Sequence, residues 1–200
     1  MRQIMYLFLP LWPIDRLRLL QRKGFAAPAD EIPFATVADR AWRRLLAAVN
    51  PAASAAGLVP GMPLPDALSF LPGLATALAQ PAEDAAALRH LAEWSGRYSP
   101  WTAPDGTDGV RIEITGSAHL WGGEKALAND LITRLDRQHV TGRVAIAETI
   151  GAAWAMAALR RWPSAWSFCR RESVILLSLH CRWKPSGLIR PSPKGFGGSA

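Results

Sequence analysis

Apolar and polar positions along the chain divide it into short strands and helices in mixed order. Ile4 to Leu9 is an apolar run that stops at a proline, which predicts a buried strand. From Val110 to Ile114, apolar and charged residues alternate, which predicts a strand with one buried face. A third strand is predicted from Arg143 to Ala147.

Helical periodicity marks the segments between these strands. The strongest helix is predicted from Pro81 to Tyr98, with Asp84 near its beginning and apolar residues on one face. Leucines at four-residue spacing predict a second helix from Glu124 to Gln138. Shorter or alanine-rich helices are predicted over 15–22, 65–71 and 151–161. This order favours an α+β sandwich with helices on one face of a sheet.

Residues beyond Pro163 have a different character. Tryptophans stand among Arg, Ser and Pro with no sustained period, so the segment has little apolar pattern to offset the entropy of ordering. We therefore predict two regions: residues 1–161, which fold, and residues 162–200, an irregular basic tail that is disordered or aberrant.

The charge of the chain is concentrated in that tail. The net charge is +7, but residues 162–200 carry six basic residues against Glu172, and residues 1–161 carry 17 basic and 15 acidic residues. The body is nearly neutral, so its charge alone gives no argument for nucleic-acid binding. The six basic residues of the tail are Arg170, Arg171, Arg182, Lys184, Arg190 and Lys194.

Cysteine usage and hydropathy indicate a cytoplasmic protein. Cys169 and Cys181 fit no zinc spacing and are interpreted as reduced thiols. The apolar N-terminus is broken by Pro10 and Pro13 and has no small-residue cleavage site, which disfavours a signal peptide. The apolar run over 174–179 is far shorter than the roughly 20 residues of a membrane span. No membrane contact is expected.

Four segments together resemble one known family. They are 4–17, the passage 50–72 with its Gly-x-x-x-Gly-Met-Pro motif (57–63), the strand 108–116, and 144–157. The resemblance is to the Y-family, lesion-bypass DNA polymerases with a UmuC domain. Glu113-Ile114-Thr115-Gly116 and His119-Leu120-Trp121-Gly122-Gly123 are similar to the ImuB-type branch, which is catalytically degenerate. The resemblance implies a ferredoxin-like palm with a small, mostly helical fingers insertion at about 25–75.

The same resemblance implies that the polymerase site is incomplete. Positions that hold metal-binding carboxylates in the family correspond to Phe8 and the pair Asp108-Gly109, so one carboxylate of three is left. The position that contributes its backbone corresponds to Pro10. Two-metal phosphoryl transfer needs clustered carboxylates to hold its ions. The family's triphosphate ligands correspond to Pro51, Ser54, Thr149, Ile150 and Trp154, none of which carries a positive charge. We therefore predict no catalytic, metal-binding or cofactor-binding residues and no cofactor.

Three polar residues near the predicted strand 110–114 are interpreted as structural or solvated residues rather than catalytic ones. Asp108 is interpreted as a turn residue that begins a strand, His119 as a surface or structural residue, and Glu113 as solvated or ion-paired. A set of arginines could contact phosphates, although such clusters are usually solvated faces. These are Arg16, Arg18, Arg22, Arg40, Arg43 and Arg44.

By resemblance, the expected function is that of a non-catalytic adaptor in SOS-type, damage-induced mutagenesis. Its expected partners are an error-prone replicative-type DNA polymerase, the sliding clamp and a mutasome accessory protein, with at most weak contact to damaged DNA. Two alternatives are an error-prone Y-family polymerase with residual activity and a truncated, non-functional fragment whose basic tail binds nucleic acid non-specifically. The resemblance stops near Arg161, which raises the hypothesis that the tail is a frameshifted or otherwise aberrant end.

Overall fold

A computed structural model describes residues 2–21 and 31–158 and the backbone of a strand at 175–178. The elements in chain order are β1 (Ile4–Phe8), α1 (Trp12–Gln21), β2 (Phe34–Arg40), β3 (Arg43–Val49), α2 (Pro51–Ala55), α3 (Leu64–Phe70), β4 (Ala75–Leu78), α4 (Pro81–Ser95), β5 (Thr102–Asp105), β6 (Gly109–Glu113), a 3₁₀ turn (Ala118–Trp121), α5 (Glu124–Asp136), β7 (Arg143–Ala147), α6 (Ile150–Ala158) and β8 (Ile175–Ser178).

The larger of the two sheets formed by the described strands has the order β5-β6-β1-β7-β8, and all its pairs are antiparallel. β1 lies at the centre because its residues are apolar on both faces. Met5 and Leu7 face the main core, which α1, α4 and α5 cover, and Val110, Ile112 and Ile114 of the β6 segment are buried in the same core. The alternation of β6 is thereby confirmed.

The other face of this sheet is also covered. Ile4 and Tyr6 pack there with Ala145 and Ala147 against two alanines of α6. The expectation of helices on one face is therefore wrong. The physical reason is that a strand with no polar alternation, such as β1, is buried on both sides, and small residues on β7 and α6 let that helix approach closely.

Residues 34–78 form the second unit, a three-stranded sheet of order β3-β2-β4 with α2 and α3 in the crossover from β3 to β4. Helix α3 was predicted, and Asn50 caps α2 by accepting from the Ala53 amide at 2.8 Å. The sheet was not predicted, so the insertion is mixed rather than mostly helical. β2 and β3 meet in exposed charged residues at their hairpin, and half of β4 is exposed, which leaves a weak apolar signal.

A buried ion pair joins α1 to α4. The Arg16 guanidinium contacts the Asp84 carboxylate and also donates to Gln80 Oε1 at 2.9 Å. Trp12 Nε1 donates to the Asp84 carbonyl at 2.9 Å. Asp84 thus lies in the first turn of its helix, as predicted, but its charge is used to hold a neighbouring helix.

The prediction for the tail can be compared with the structure only at β8, where four residues pair with β7. The remainder of the tail lies outside the described residues, and the division at 161 stays a prediction. Over the stretches 2–21 and 31–158, no helix is both long enough and apolar enough to cross a bilayer.

Candidate functional site at the end of the palm sheet

The positions that correspond to the family's metal site meet at one end of the central strand. Phe8, the last residue of β1, pairs with Gly109 of β6 on one side and with Arg143 of β7 on the other. The Leu9 amide donates to the Asp108 carbonyl at 2.7 Å, which fixes the turn before β6 against β1. The antiparallel register therefore brings Phe8 next to Asp108 and Gly109, although a hundred residues separate Phe8 from that pair in sequence.

Aromatic rings occupy this end of the sheet. Tyr6 and Phe8 point to the same face because residues two apart on a strand do so. Tyr6 is 1% exposed, and Phe8 packs at the margin of the same cluster. The Arg143 guanidinium carbon lies 5.6 Å from the centroid of the Phe8 ring, within the range of a cation–π contact.

Gly109 has no space for a side chain. A Cβ atom built on it would overlap the Tyr6 hydroxyl oxygen and lie 2.6 Å from Tyr6 Cζ and 2.9 Å from the Asp105 carbonyl oxygen. Such distances are well inside van der Waals contact. The tyrosine thus fills the volume that an acidic side chain at position 109 would need.

Two carboxyl groups lie beside the tyrosine. Burial raises the pKa of Tyr6, and the charge of Asp105 and a hydrogen bond to its carboxylate raise it further. Burial also raises the pKa of Asp108, the Asp105 charge adds to that effect, and a backbone hydrogen bond opposes it. The tyrosine is therefore a neutral hydrogen-bond donor at physiological pH, and the surroundings of Asp108 disfavour the charged form of its carboxyl group.

The donor set does not match a two-metal centre. Such a centre needs several carboxylates converging on two ions. Within residues 2–21 and 31–158, no group of three or more His, Cys, Asp or Glu side chains is placed to hold a metal ion. Phe8 contributes a ring and Gly109 nothing, so Asp105 and Asp108 are the acids near this end of the sheet.

The positions that correspond to triphosphate ligands are used for local structure. Pro51 begins α2, and Ser54 is exposed on it. Thr149 precedes α6, and its hydroxyl accepts from the Ala152 amide at 3.2 Å. Ile150 begins α6 and packs on the same cluster as Tyr6, and Trp154 is 50% exposed. None of the five supplies a cationic group.

The predicted phosphate-contacting arginines separate into two sets. Arg16 is buried against Asp84, and Arg18 lies 3.2 Å from an Asp15 carboxylate oxygen, so for these two the hypothesis is wrong. Their charges are already paired inside the palm. Arg40, Arg43 and Arg44 are exposed at the β2–β3 hairpin, as the hypothesis requires, although Arg44 also lies 3.5 Å from Asp39. Arg22 lies outside the described residues.

The interpretations of the remaining polar residues agree with their positions. Asp108 lies in the turn that begins β6, and His119 is exposed on the 3₁₀ turn. Glu113 is paired with Arg2 at 2.8 Å. Sequence reasoning missed Tyr6, Asp105 and Arg143. Only Tyr6 had a usable signal, because it stands two residues before Phe8 on the same predicted strand.

Comparison with known proteins identifies the class. The family model described as IMS, the impB/mucB/samB family, matches residues 30–158, which is more than half of the chain, so the chain belongs to this family. Its fold is that of the palm and fingers of Y-family polymerases. A post-insertion binary complex of Dbh DNA polymerase is similar with a TM-score of 0.64 at 16% identity, covering 78% of this chain and 45% of that one. DinB from Sulfolobus solfataricus is similar with a TM-score of 0.61 at 15% identity over the same shares.

The sequence is more closely similar to one kind of protein within that class. "Protein ImuB" of Caulobacter vibrioides NA1000 / CB15N is 54% identical over 101 residues, and the same holds for the protein of strain ATCC 19089. This stretch covers 50% of the present chain and 22% of each ImuB protein. The chain therefore matches about a fifth of the length of these relatives.

Proposed function

We propose that the protein is a non-catalytic, polymerase-like adaptor that acts in damage-induced mutagenesis. The observation that carries the proposal is the exchange at the end of the palm sheet, where the Tyr6 hydroxyl fills the side-chain volume at position 109. With Phe8 beside it, the palm keeps its fold while the acids are replaced by packed rings. The similarity to ImuB proteins supports the same proposal.

As an adaptor, the protein would bring an error-prone replicative-type polymerase and the sliding clamp, together with a mutasome accessory protein, to damaged DNA during translesion synthesis. This assignment of partners rests on the resemblance to the ImuB-type branch. Contact with DNA would be weak because residues 1–161 are nearly neutral.

A primer-extension assay tests the lack of catalysis. The full chain is incubated with primed undamaged and damaged templates, the four nucleotides and Mg²⁺ or Mn²⁺, with Dbh DNA polymerase as the positive control. We expect no extension above background. Extension that disappears in an Asp108→Asn variant would contradict the proposal and establish residual polymerase activity instead.

An association assay tests the adaptor role separately. The purified full chain is immobilised, and binding of the purified error-prone polymerase, clamp and accessory protein is measured one at a time and together. We expect at least one of them to bind and ternary complexes to form. If neither association nor extension is observed, the adaptor role is wrong even though the lack of catalysis stands.

A further inference from the structure

A second feature of the palm lies on the face opposite Tyr6 and Phe8. A cleft of about 380 Å³ opens between α1, α4 and α5. Its walls are apolar, with Leu19 on α1, Leu91 and Trp94 on α4, and Leu135 on α5. Such a volume is too small for a whole helix but admits the apolar side chains that one segment projects.

The rim of this cleft is basic. Arg97, Arg134 and Arg137 line it, and the described residues that line the cleft include no carboxylate. The Arg97 guanidinium lies 4.2 Å from the centroid of the Trp94 ring, so its position is held by the aromatic wall. Arg134 Nε donates to Asp130 Oδ2 at 2.7 Å, which holds a second guanidinium in place and partly offsets its charge.

Asp130 is itself anchored. Tyr98, which is buried between Trp94 and Trp121, donates its hydroxyl to Asp130 Oδ2 at 2.7 Å. Because each link is packed or hydrogen-bonded, the rim loses little side-chain entropy when it engages a ligand. Trp and Arg together are also the residue types that most often dominate binding energy at protein interfaces.

We infer that this cleft, defined here as the α1–α4–α5 cleft, binds a peptide segment of a protein partner in which large apolar side chains are flanked by carboxylates. The apolar walls take the side chains, and the guanidinium groups take the carboxylates, which they bind with paired donors. A nucleic acid fits less well because it needs open aromatic faces for its bases. Trp12 is 2% exposed, and Arg97 covers a face of Trp94.

Peptide binding in the α1–α4–α5 cleft does not depend on the proposed lack of catalysis. β1 separates the cleft from the altered polymerase site, since alternate side chains of one strand face opposite sides of the sheet. A peptide bound in the cleft would therefore leave the Phe8 and Gly109 end of the palm uncovered. The two proposals can fail independently.

Peptide binding to the full chain tests the inference. The probe is a fluorescein-labelled synthetic peptide with leucines at alternating three- and four-residue spacing and glutamates on both flanks. One control replaces each glutamate by lysine, and a second replaces each leucine by serine. Fluorescence anisotropy is expected to show binding of the first peptide, with each control weaker by about tenfold or more.

A charge exchange makes the test specific to the cleft. The double variant Arg97→Glu, Arg137→Glu is expected to weaken binding of the glutamate peptide at least about tenfold and to prefer the lysine peptide. Arg89→Glu is the matched control, because Arg89 is exposed on α4 and does not line the cleft; it should change binding less than about twofold. Circular dichroism melting of each variant checks that it is folded.

Several outcomes would overturn the inference. These are no binding of the glutamate peptide, equal binding of the lysine peptide by the unaltered protein, or equal effects of the double variant and Arg89→Glu. Displacement of the peptide by an oligothymidine would assign the surface to nucleic acid, which also overturns it.

Discussion

At the scale of single residues, aromatic rings are packed tightly at one end of the palm sheet. Tyr6 is buried with its hydroxyl directed at Asp105, and this hydroxyl leaves Gly109 no room for a Cβ. Phe8 adds a second ring at the same end of the strand. The buried Tyr6 ring leaves space only for glycine at 109, and an uncharged residue there adds no repulsion to Asp105 and Asp108.

The fit of Gly109 against Tyr6 can be measured. Gly109→Ala forces the ring or the β5–β6 turn to move, so we expect it to lower the free energy of unfolding by about 1–3 kcal/mol in urea titrations. Gly73→Ala is the control, since nothing lies within 4 Å of its added Cβ; it should change stability by less than about 1 kcal/mol. Tyr6→Ala should make Gly109→Ala less costly. Equal costs at both glycines would show that the ring does not occupy this space.

Asp108 and Asp130 have opposite expected pH dependences. Burial raises the pKa of Asp108, whereas for Asp130 burial is outweighed by hydrogen bonds from Arg134 and Tyr98, which lower the pKa. A carboxyl with a raised folded pKa costs stability above that pKa, and one with a lowered pKa contributes stability that is lost as pH falls through it. We expect Asp108→Asn to stabilise the protein at neutral pH and Asp130→Asn to destabilise it.

Urea titrations at pH 7 and at successively lower pH check both signs. Each difference from the unaltered protein should shrink as the pH falls: that of Asp108→Asn disappears once the pH is below the ordinary value of 3.8, and that of Asp130→Asn fades below the same value. Effects of the same sign at neutral pH would show that one of the two environments is wrongly assigned.

At the scale of elements, a buried ion pair links two helices of the palm. The Arg16 side chain is 7% exposed and that of Asp84 13%, so both charges have lost most of their water and rely on each other. The link connects α1, which directly follows the central strand, with the beginning of α4. It explains why two residues with ordinary surface chemistry are inside.

Removing one partner should therefore be costly. We expect Arg16→Met to lower the free energy of unfolding by about 3 kcal/mol, because it leaves the Asp84 carboxylate buried without its cation. The double variant Arg16→Met, Asp84→Leu should recover much of this loss. Arg44→Met is the matched control, since the Arg44 and Asp39 side chains are 59% and 74% exposed, and it should cost less than about 1 kcal/mol. Similar losses for the two single variants would contradict a buried pair.

At the scale of the whole molecule, charge is distributed unevenly between the body and the tail. The sequence beyond residue 161 has six basic residues and one acidic residue, whereas residues 1–161 have nearly equal numbers of basic and acidic residues. Exposed arginines at the β2–β3 hairpin are the alternative source of attraction for phosphates. The salt dependence of oligonucleotide binding distinguishes the tail from the hairpin as the source of this attraction.

Replacing Arg182, Lys184, Arg190 and Lys194 with Gln is expected to weaken binding of a labelled oligonucleotide and to flatten its dependence on salt, because fewer counterions are released. Anisotropy titrations over a range of KCl concentrations measure the slope. The comparison variant replaces Arg40, Arg43 and Arg44 with Gln and should change the slope less. The reverse order would place the nucleic-acid contact on the hairpin.

Much of the palm could be predicted from periodicity. β1, β6, β7 and the helices α4, α5 and α6 lie where the apolar pattern indicated. β4 and β5 were missed because each has four residues with no fully buried position, so their strand character comes from pairing with neighbours rather than from their own composition.

The sequence by itself determined β1, β6, β7 and the longer helices of the palm, the family resemblance and the identities of Phe8 and Gly109, because these depend on local pattern and residue identity. Only the tertiary structure decided that Tyr6 fills the space of position 109, that Arg16 pairs with Asp84, and that arginines border an apolar cleft on the opposite face. These facts depend on which side chains the antiparallel register and helix packing bring together, and residues far apart in sequence carry no local signal of such contacts.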